Sequence, residues 1–329
     1  TVVVGVAGAF GAFYYRTLGT EADANRTIAL EASNTIVNRV SRDLSETEGV
    51  PPAAISSVLS NAQRILEGFR TQLRGGDDPR QLKLVVIDLL TQSAATRLVE
   101  GNFANARQDL GSAETKYDEA CGAAPADRRC ALRRAEVMQV RATLALLTHP
   151  ASAKDARTFA AAGLAALAQF LPAASDGGNS GPGNSVPSDE TRVVMLTAAA
   201  LRILDAQALL AELDADAASQ ARPVLAQDIT KALDNLQQSI AGLTAQATSS
   251  GEPSAAQIAL SALHRLRAAL LIANRQAEEA AKAAGTAVKS AHDVRKTNPA
   301  SLIARIAHAE ALIVHGVAEA SRAPAPQGA

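Results

Sequence analysis

The sequence predicts an all-α protein built from antiparallel pairs of helices. Apolar residues make up 47% of the chain, but aromatic residues account for only 3%, and tryptophan is absent. Much of the apolar content is alanine, which lets helices approach closely but fills little space between the layers of a β-sandwich. Apolar residues recur at helical spacing along nearly the whole chain, and no sustained alternation indicates a strand.

The first 16 residues, TVVVGVAGAFGAFYYR, are uncharged as far as Tyr15. As a helix, residues 1–15 would span roughly 22 Å, less than the hydrocarbon core of about 30 Å. We therefore expect residues 1–16 to be the end of a transmembrane helix that starts upstream of Thr1. Aromatic residues beside a basic one are typical of the membrane–water interface. We expect four aromatic residues and one arginine to lie at this interface, namely Phe10, Phe13, Tyr14, Tyr15 and Arg16.

Two alternatives for this opening segment stay open, namely a signal peptide and a buried or oligomer-forming helix. Ala7 and Gly11 are four residues apart, as are Gly8 and Ala12. Small residues at this spacing allow close packing of helices in lipid. The spacing predicts an oligomer formed through the membrane helix.

The next elements are helical and are separated by proline and glycine. A juxtamembrane helix is expected over 17–50, because one apolar stripe recurs every four residues from Ile28 to Leu44. Pro51 and Pro52 end it and begin a further helix, since proline is favoured in a first turn. Helical hairpins are expected over 51–172, with two helices meeting at Gly101 and a further pair over 127–148 and 152–171.

The second half repeats this organisation after a low-complexity segment. Residues 173–189 are rich in Gly, Ser, Pro and Asn and predict a flexible loop. A second set of hairpins is expected over 190–321, followed by a disordered tail over 322–329. Its predicted helices cover 190–212, 223–245, 255–273 and 277–294, with a closing helix after Asn298.

Small residues recur where the helices of two hairpins have to touch. In the first hairpin, EGNFANA supplies a turn glycine, and Phe103 or Leu110 is expected to fill the wedge beside the crossing. An alanine at a crossing lets the two backbones approach, whereas leucine would push them apart. The same relative spacing occurs in both halves of the chain, so we expect close helix packing at Ala94, Ala106, Ala113, Ala268, Ala280 and Ala287.

The stretch from Ile87 to Lys116, with Gly101 in its turn and alanines at its crossings, resembles a tetratricopeptide repeat. Arg275 stands in the second copy where that repeat has its turn glycine. The resemblance implies an α-solenoid, a stack of helix hairpins that presents a groove to a protein segment.

The region from Glu21 to Tyr117 also resembles the part that follows a membrane helix in some bacterial signalling proteins. The resemblance is carried by ANRTIALEASNTIVNRV, by EGVPPAAISSVLSNAQRILEGF and by GNFANA. Those proteins place a TIR, caspase-like or kinase domain before tetratricopeptide-like repeats. No catalytic domain of these families lies in this sequence, so the resemblance assigns no activity to any residue of the chain.

Residues with catalytic or metal-binding potential are sparse. Cys121 and Cys130 flank a predicted connection, where they form a disulfide bond outside the cytoplasm or remain thiols inside it. The five histidines are scattered, and His308 and His315 lie too far apart along one helix for a single metal ion. No phosphate-binding loop, nucleophile elbow or zinc-peptidase motif is present. We therefore expect no enzyme, no cofactor and no metal site.

The charge pattern argues against nucleic acid as a partner. The chain has 32 basic and 33 acidic residues, and its net charge is −1. No basic cluster is interleaved with aromatic residues. The densest basic group is interrupted by Asp127 and Glu136, which predicts a solvated helix face for Arg128, Arg129, Arg133 and Arg134.

Two functions follow from these expectations. The first is a single-pass, membrane-anchored scaffold without catalytic activity that mediates protein–protein interaction as the regulatory or sensor part of a larger signalling protein. The alternative is a structural accessory subunit of a bacterial membrane complex, with its span packed against other subunits and its helical domain capping the assembly. In both, the partner is a protein of unknown identity. Either side of the membrane stays open for the helical domain, and the extracytoplasmic side is the one on which Cys121 and Cys130 would form a disulfide bond.

Overall fold

A computed structural model describes residues 79–122, 127–148, 152–171, 189–215, 222–247, 254–299 and 301–322. These residues form nine α-helices and one short 3₁₀ helix, Ala168–Phe170, and contain no strand, which confirms the predicted all-α class. In chain order the α-helices are α1 (Pro79–Val99), α2 (Phe103–Cys121), α3 (Arg128–Thr148), α4 (Ala153–Leu167), α5 (Asp189–Ala215), α6 (Arg222–Ala247), α7 (Ser254–Ala273), α8 (Ala277–Thr297) and α9 (Leu302–Arg322).

Several predicted segments lie outside the described residues. They are the membrane segment 1–16 with its interface residues, the juxtamembrane helix 17–50, the first part of the hairpin region, the loop up to residue 188 and the tail from residue 323. Asp189 begins α5 and Arg322 ends α9, so both of these residues belong to helices.

The helices stack as successive hairpins in two rows. Each helix packs against the next in the chain, and the odd-numbered helices also pack against one another, α1 on α3, α3 on α5, α5 on α7 and α7 on α9. The odd-numbered helices therefore form a continuous inner row, on which α2, α4, α6 and α8 lie as an outer row. This packing is consistent with a helical solenoid.

Two hairpin turns share one backbone conformation. Gly101 between α1 and α2 has φ 75°, and Arg275 between α7 and α8 has φ 60°. In each turn the following amide donates to a carbonyl five residues back, Asn102 to Arg97 at 2.8 Å and Gln276 to Leu271 at 2.8 Å. This is the hydrogen bonding of a helix end that requires a left-handed residue, which glycine adopts without strain.

We expect Arg275→Gly to stabilise the protein by about 1 kcal/mol, because it removes the Cβ from a left-handed residue. Gly101→Ala should have the opposite effect of similar size. Urea unfolding followed by circular dichroism measures both. A destabilising Arg275→Gly would show that the arginine side chain contributes more than its backbone strain costs.

Alanine forms the closest contacts of the stack. The hydroxyl of Ser261 in α7 donates to the carbonyl of Ala287 in α8 at 3.0 Å, so these two helices lie almost backbone to backbone. Leu110 is fully buried and Phe103 packs partly buried against the same core. The six alanines expected at helix crossings are all 0% exposed: Ala94, Ala106, Ala113, Ala268, Ala280 and Ala287.

Two of the described helices are long and apolar enough to cross a membrane, over Glu190–Ala215 in α5 and Ala255–Ala273 in α7. Length and composition are the only basis for this property. Both helices belong to the inner row, where α5 contacts α3, α4, α6 and α7. A core helix that packs against several neighbours is also apolar, so these two helices are weak support for a membrane location.

Candidate functional site

The outer row leaves a groove between each successive pair of even-numbered helices, with an odd-numbered helix as its floor. In the groove between α2 and α4, Arg141 of α3 forms an ion pair with Glu114 of α2. The same guanidinium lies 5.6 Å from the ring centre of Phe159 on α4, a cation–π contact. One arginine therefore bridges both walls of this first groove.

The groove between α4 and α6 is also bridged by an arginine. Arg157 of α4 pairs with Asp228 of α6 at 2.8 Å and with two carboxylates of α5, Asp205 at 3.2 Å and Glu212 at 3.1 Å. Hydrogen bonds to these carboxylates raise the pKa of Arg157 against the opposing effect of burial. Glu212 is 8% exposed, whereas the side chain of Asp228 is 35% exposed, so one cation pairs with three carboxylates at a partly buried site.

The groove between α6 and α8 is open and is our candidate site. It holds a cavity of about 260 Å³ over α7, beside the left-handed turn at Arg275. No hydrogen bond or ion pair joins Arg267, on the floor of this groove, to another of the described residues. The cavity is lined by Thr230, Leu233, Asp234, Gln237, Arg267, Leu271, Asn274, Gln276 and Glu279.

Groups of both charge signs face this cavity. Arg267 supplies a guanidinium, and Asp234 and Glu279 supply carboxylates from the opposite walls. The side-chain amide of Asn274 donates to Gln276 at 3.2 Å, which orders two neutral polar groups at one end. Leu233 and Leu271 add apolar surface. Such a lining matches a polypeptide segment, which carries apolar, polar and charged groups in a short length.

His264 lies one helical turn before Arg267 on α7. Burial, with a smaller effect from the positive charge of Arg267, lowers its pKa from 6.5 to about 4. Its Nδ1 is buried and has no hydrogen-bond partner among the described residues. This histidine is therefore neutral in the folded protein at neutral pH, and Arg267 is the cation at this position of α7.

We expect the free energy of unfolding to fall by about 1 to 2 kcal/mol between pH 6.5 and pH 4 because of His264. The folded-state pKa lies below the ordinary value, so the unfolded chain takes up the proton first as the pH decreases. Above pH 6.5 the histidine has no effect on stability. Urea unfolding of the native protein and of His264→Leu across this range isolates the effect, and parallel pH profiles would contradict it.

The structure corrects the prediction for the basic group of α3. Arg129 is exposed, but the other three arginines of this group are partly buried, so the four do not form one solvated helix face. Arg133 pairs with Asp88 of α1 at 2.9 Å, and Asp88 is 2% exposed. The guanidinium of Arg134 lies 5.3 Å from the ring centre of Tyr117, and Arg128 pairs with Glu190 of α5 at 3.4 Å. Helix packing thus uses this group internally.

The two cysteines join the first two hairpins. Cys121 ends α2 and Cys130 lies in the first turn of α3, and a disulfide bond links them with their Cα atoms 5.8 Å apart. Both side chains are fully buried. In the part of the chain that the structure describes, no cluster of three His, Cys, Asp or Glu residues is arranged to hold a metal ion.

Neither the arginine-bridged grooves nor the open one was identified from the sequence. Arg157 lies 48 residues from Asp205 and 71 from Asp228, and Arg267 has no nearby sequence motif. The one local signal close to the open groove was the second copy of the repeat, in which Arg275 stands at the position of the turn glycine. Comparison of the chain with protein-family models, curated proteins and solved structures finds no match.

Proposed function

We propose that this protein is a tetratricopeptide-like scaffold without catalytic activity, which binds a segment of a partner protein in the groove between α6 and α8. The observation that carries the proposal is the open groove with Arg267, which forms no ion pair with any residue that the structure describes. The other two grooves between outer helices are bridged by arginines of the chain itself. An acidic group from a partner would give Arg267 the contact that Arg141 and Arg157 have.

The repeat character of the stack supports this function. The turns at Gly101 and Arg275 have the same hydrogen bonds, and alanines at matching positions bring the helices of both hairpins together. Stacked hairpins of this kind form extended grooves whose floor and walls come from different repeats. Binding then needs a partner segment of matching charge but no catalytic group.

The location is part of the same proposal. We place the helical domain outside the cytoplasm, because the bond between Cys121 and Cys130 persists in oxidising compartments. The aromatic residues before Arg16 support a single membrane tether.

With any natural residues before Thr1 present, the protein should remain in membranes after carbonate extraction. Removal of the tether should make it soluble with unchanged helical content.

Selection of peptides from a displayed random library on the full chain tests the groove. Selected peptides should carry an acidic group and should lose about tenfold or more in affinity for Arg267→Glu, because the charge that they contact is reversed. Arg107→Glu is the matched control, since Arg107 is an exposed arginine of the first hairpin. Equal affinity of the peptides for both variants, or no selected peptide, would overturn the proposed site.

A further inference from the structure

Three charged side chains line the open groove, one from each of its helices. They are Asp234 of α6, Arg267 of α7 and Glu279 of α8. Each is next in sequence to a member of one apolar cluster, in which Leu233 packs against buried residues that include Ala268 and Ala280. The three charges therefore lie at one level of the stack, with a carboxylate on either wall and a guanidinium on the floor.

The chain itself neutralises none of these three charges. The side chains of Asp234, Arg267 and Glu279 form no ion pair and no hydrogen bond with another residue that the structure describes. Both carboxylates are exposed, whereas Arg267 is half-buried. Lys231 and Lys282 each lie three residues from one of the carboxylates, but neither lines the cavity. Two carboxylates and one guanidinium give the lining a net charge of −1, with both signs open to a partner.

This charge pattern disfavours a partner segment that carries only one sign of charge. A segment with acidic groups alone would meet Arg267 between two carboxylates, whose repulsion offsets the attraction of the guanidinium. A segment with basic groups alone would pair with Asp234 and Glu279 but would cover a half-buried guanidinium without giving it an anion. A segment with both signs gives each of the three groups an opposite charge.

The width of the groove limits the spacing of the charges on the segment. Packed helices have their axes about 8 to 10 Å apart, and an extended chain advances about 3.3 Å per residue. A charge at the floor and a charge at either wall are therefore separated by about three residues of an extended segment. Leu233 and Leu271 in the same lining accept apolar side chains between these charges.

We propose that the segment bound in the groove is zwitterionic, with an acidic residue that pairs with Arg267 and basic residues within about four positions that pair with Asp234 and Glu279. The inference rests on the proposed function, because it names the class of segment that the groove between α6 and α8 binds. Protein segments of mixed charge belong to this class, whereas polyanions such as nucleic acid do not.

Peptides selected from the displayed random library on the full chain give the first readout. Relative to the unselected library, basic residues should be enriched about threefold or more within about four positions of the acidic residue. Asp234→Lys and Glu279→Lys should each weaken the binding of these peptides about tenfold. Glu100→Lys is the matched control, because Glu100 is an exposed carboxylate that directly follows α1.

Exchange of charge between protein and peptide gives the second readout. Peptides whose basic residues are replaced by glutamate should bind the double variant Asp234→Lys/Glu279→Lys at least about tenfold more tightly than they bind the native chain. A merely structural role of the two carboxylates would not produce this reversal.

The outcomes separate this inference from the proposed function. Selected peptides that lose affinity for Arg267→Glu, but lack the enrichment in basic residues or bind Asp234→Lys and Glu279→Lys as tightly as the native chain, would overturn the inference alone. The groove would then remain the binding site. No selected peptide, or peptides that bind Arg267→Glu and the native chain equally, would overturn both.

Discussion

Replacing Arg157 with methionine should destabilise the protein by about 2 to 4 kcal/mol at neutral pH. The substitution keeps the apolar stem but removes the cation that pairs with Asp205, Glu212 and Asp228. Removal of one partner of a fully buried ion pair leaves an uncompensated buried charge, typically at a cost of about 3 to 5 kcal/mol. We expect a smaller value because Asp228 is 35% exposed and partly solvated.

A second substitution at the same site distinguishes charge from packing. Asp228→Asn removes one of the carboxylates that Arg157→Met leaves without its cation, so the double variant should be more stable than the sum of the two single losses predicts. Urea unfolding of the single and double variants measures this coupling. Arg107→Met is the matched control, because this exposed arginine should give a change within about 0.5 kcal/mol. Additive losses in the double variant would indicate lost packing instead.

Ala106→Leu should destabilise the protein by about 1 to 3 kcal/mol, near the upper end of that range. Ala106 is 0% exposed in the contact between α1 and α2, where Leu110 and Ala94 are also fully buried. Three additional carbon atoms at this point have to separate the two helices or strain the side chains around them. The same crossing is the basis of the resemblance to a tetratricopeptide repeat.

Ala104→Leu provides the control for this substitution, because Ala104 is exposed on the same helix. The two variants carry the same chemical change two residues apart, so helix propensity affects them equally. Thermal and urea unfolding should show a large loss for Ala106→Leu and almost none for Ala104→Leu. Equal small shifts would mean that the hairpin packing tolerates leucine and that alanine is not required at the crossing.

Among the described residues, local sequence predicted the helices and placed their boundaries within a few residues. Helical periodicity is a property of neighbouring residues, and proline or glycine marks the ends of segments by local backbone sterics. The turn at Gly101 and the buried alanines at 94, 106 and 113 were accessible for the same reason. Within one hairpin, the spacing of small residues along two adjacent helices already implies where they cross.

Periodicity along the chain was enough to predict the all-α class of the described residues and which of their helices pair as neighbours. The charged groups that meet, such as Arg157 with Asp228 and Arg133 with Asp88, became apparent only from the packing of the helices. The same holds for the open groove that Arg267 faces and for the outer face of α9, which has no described neighbour. These contacts depend on the rotation and register of helices distant in sequence, whereas periodicity specifies only which face of each helix is apolar.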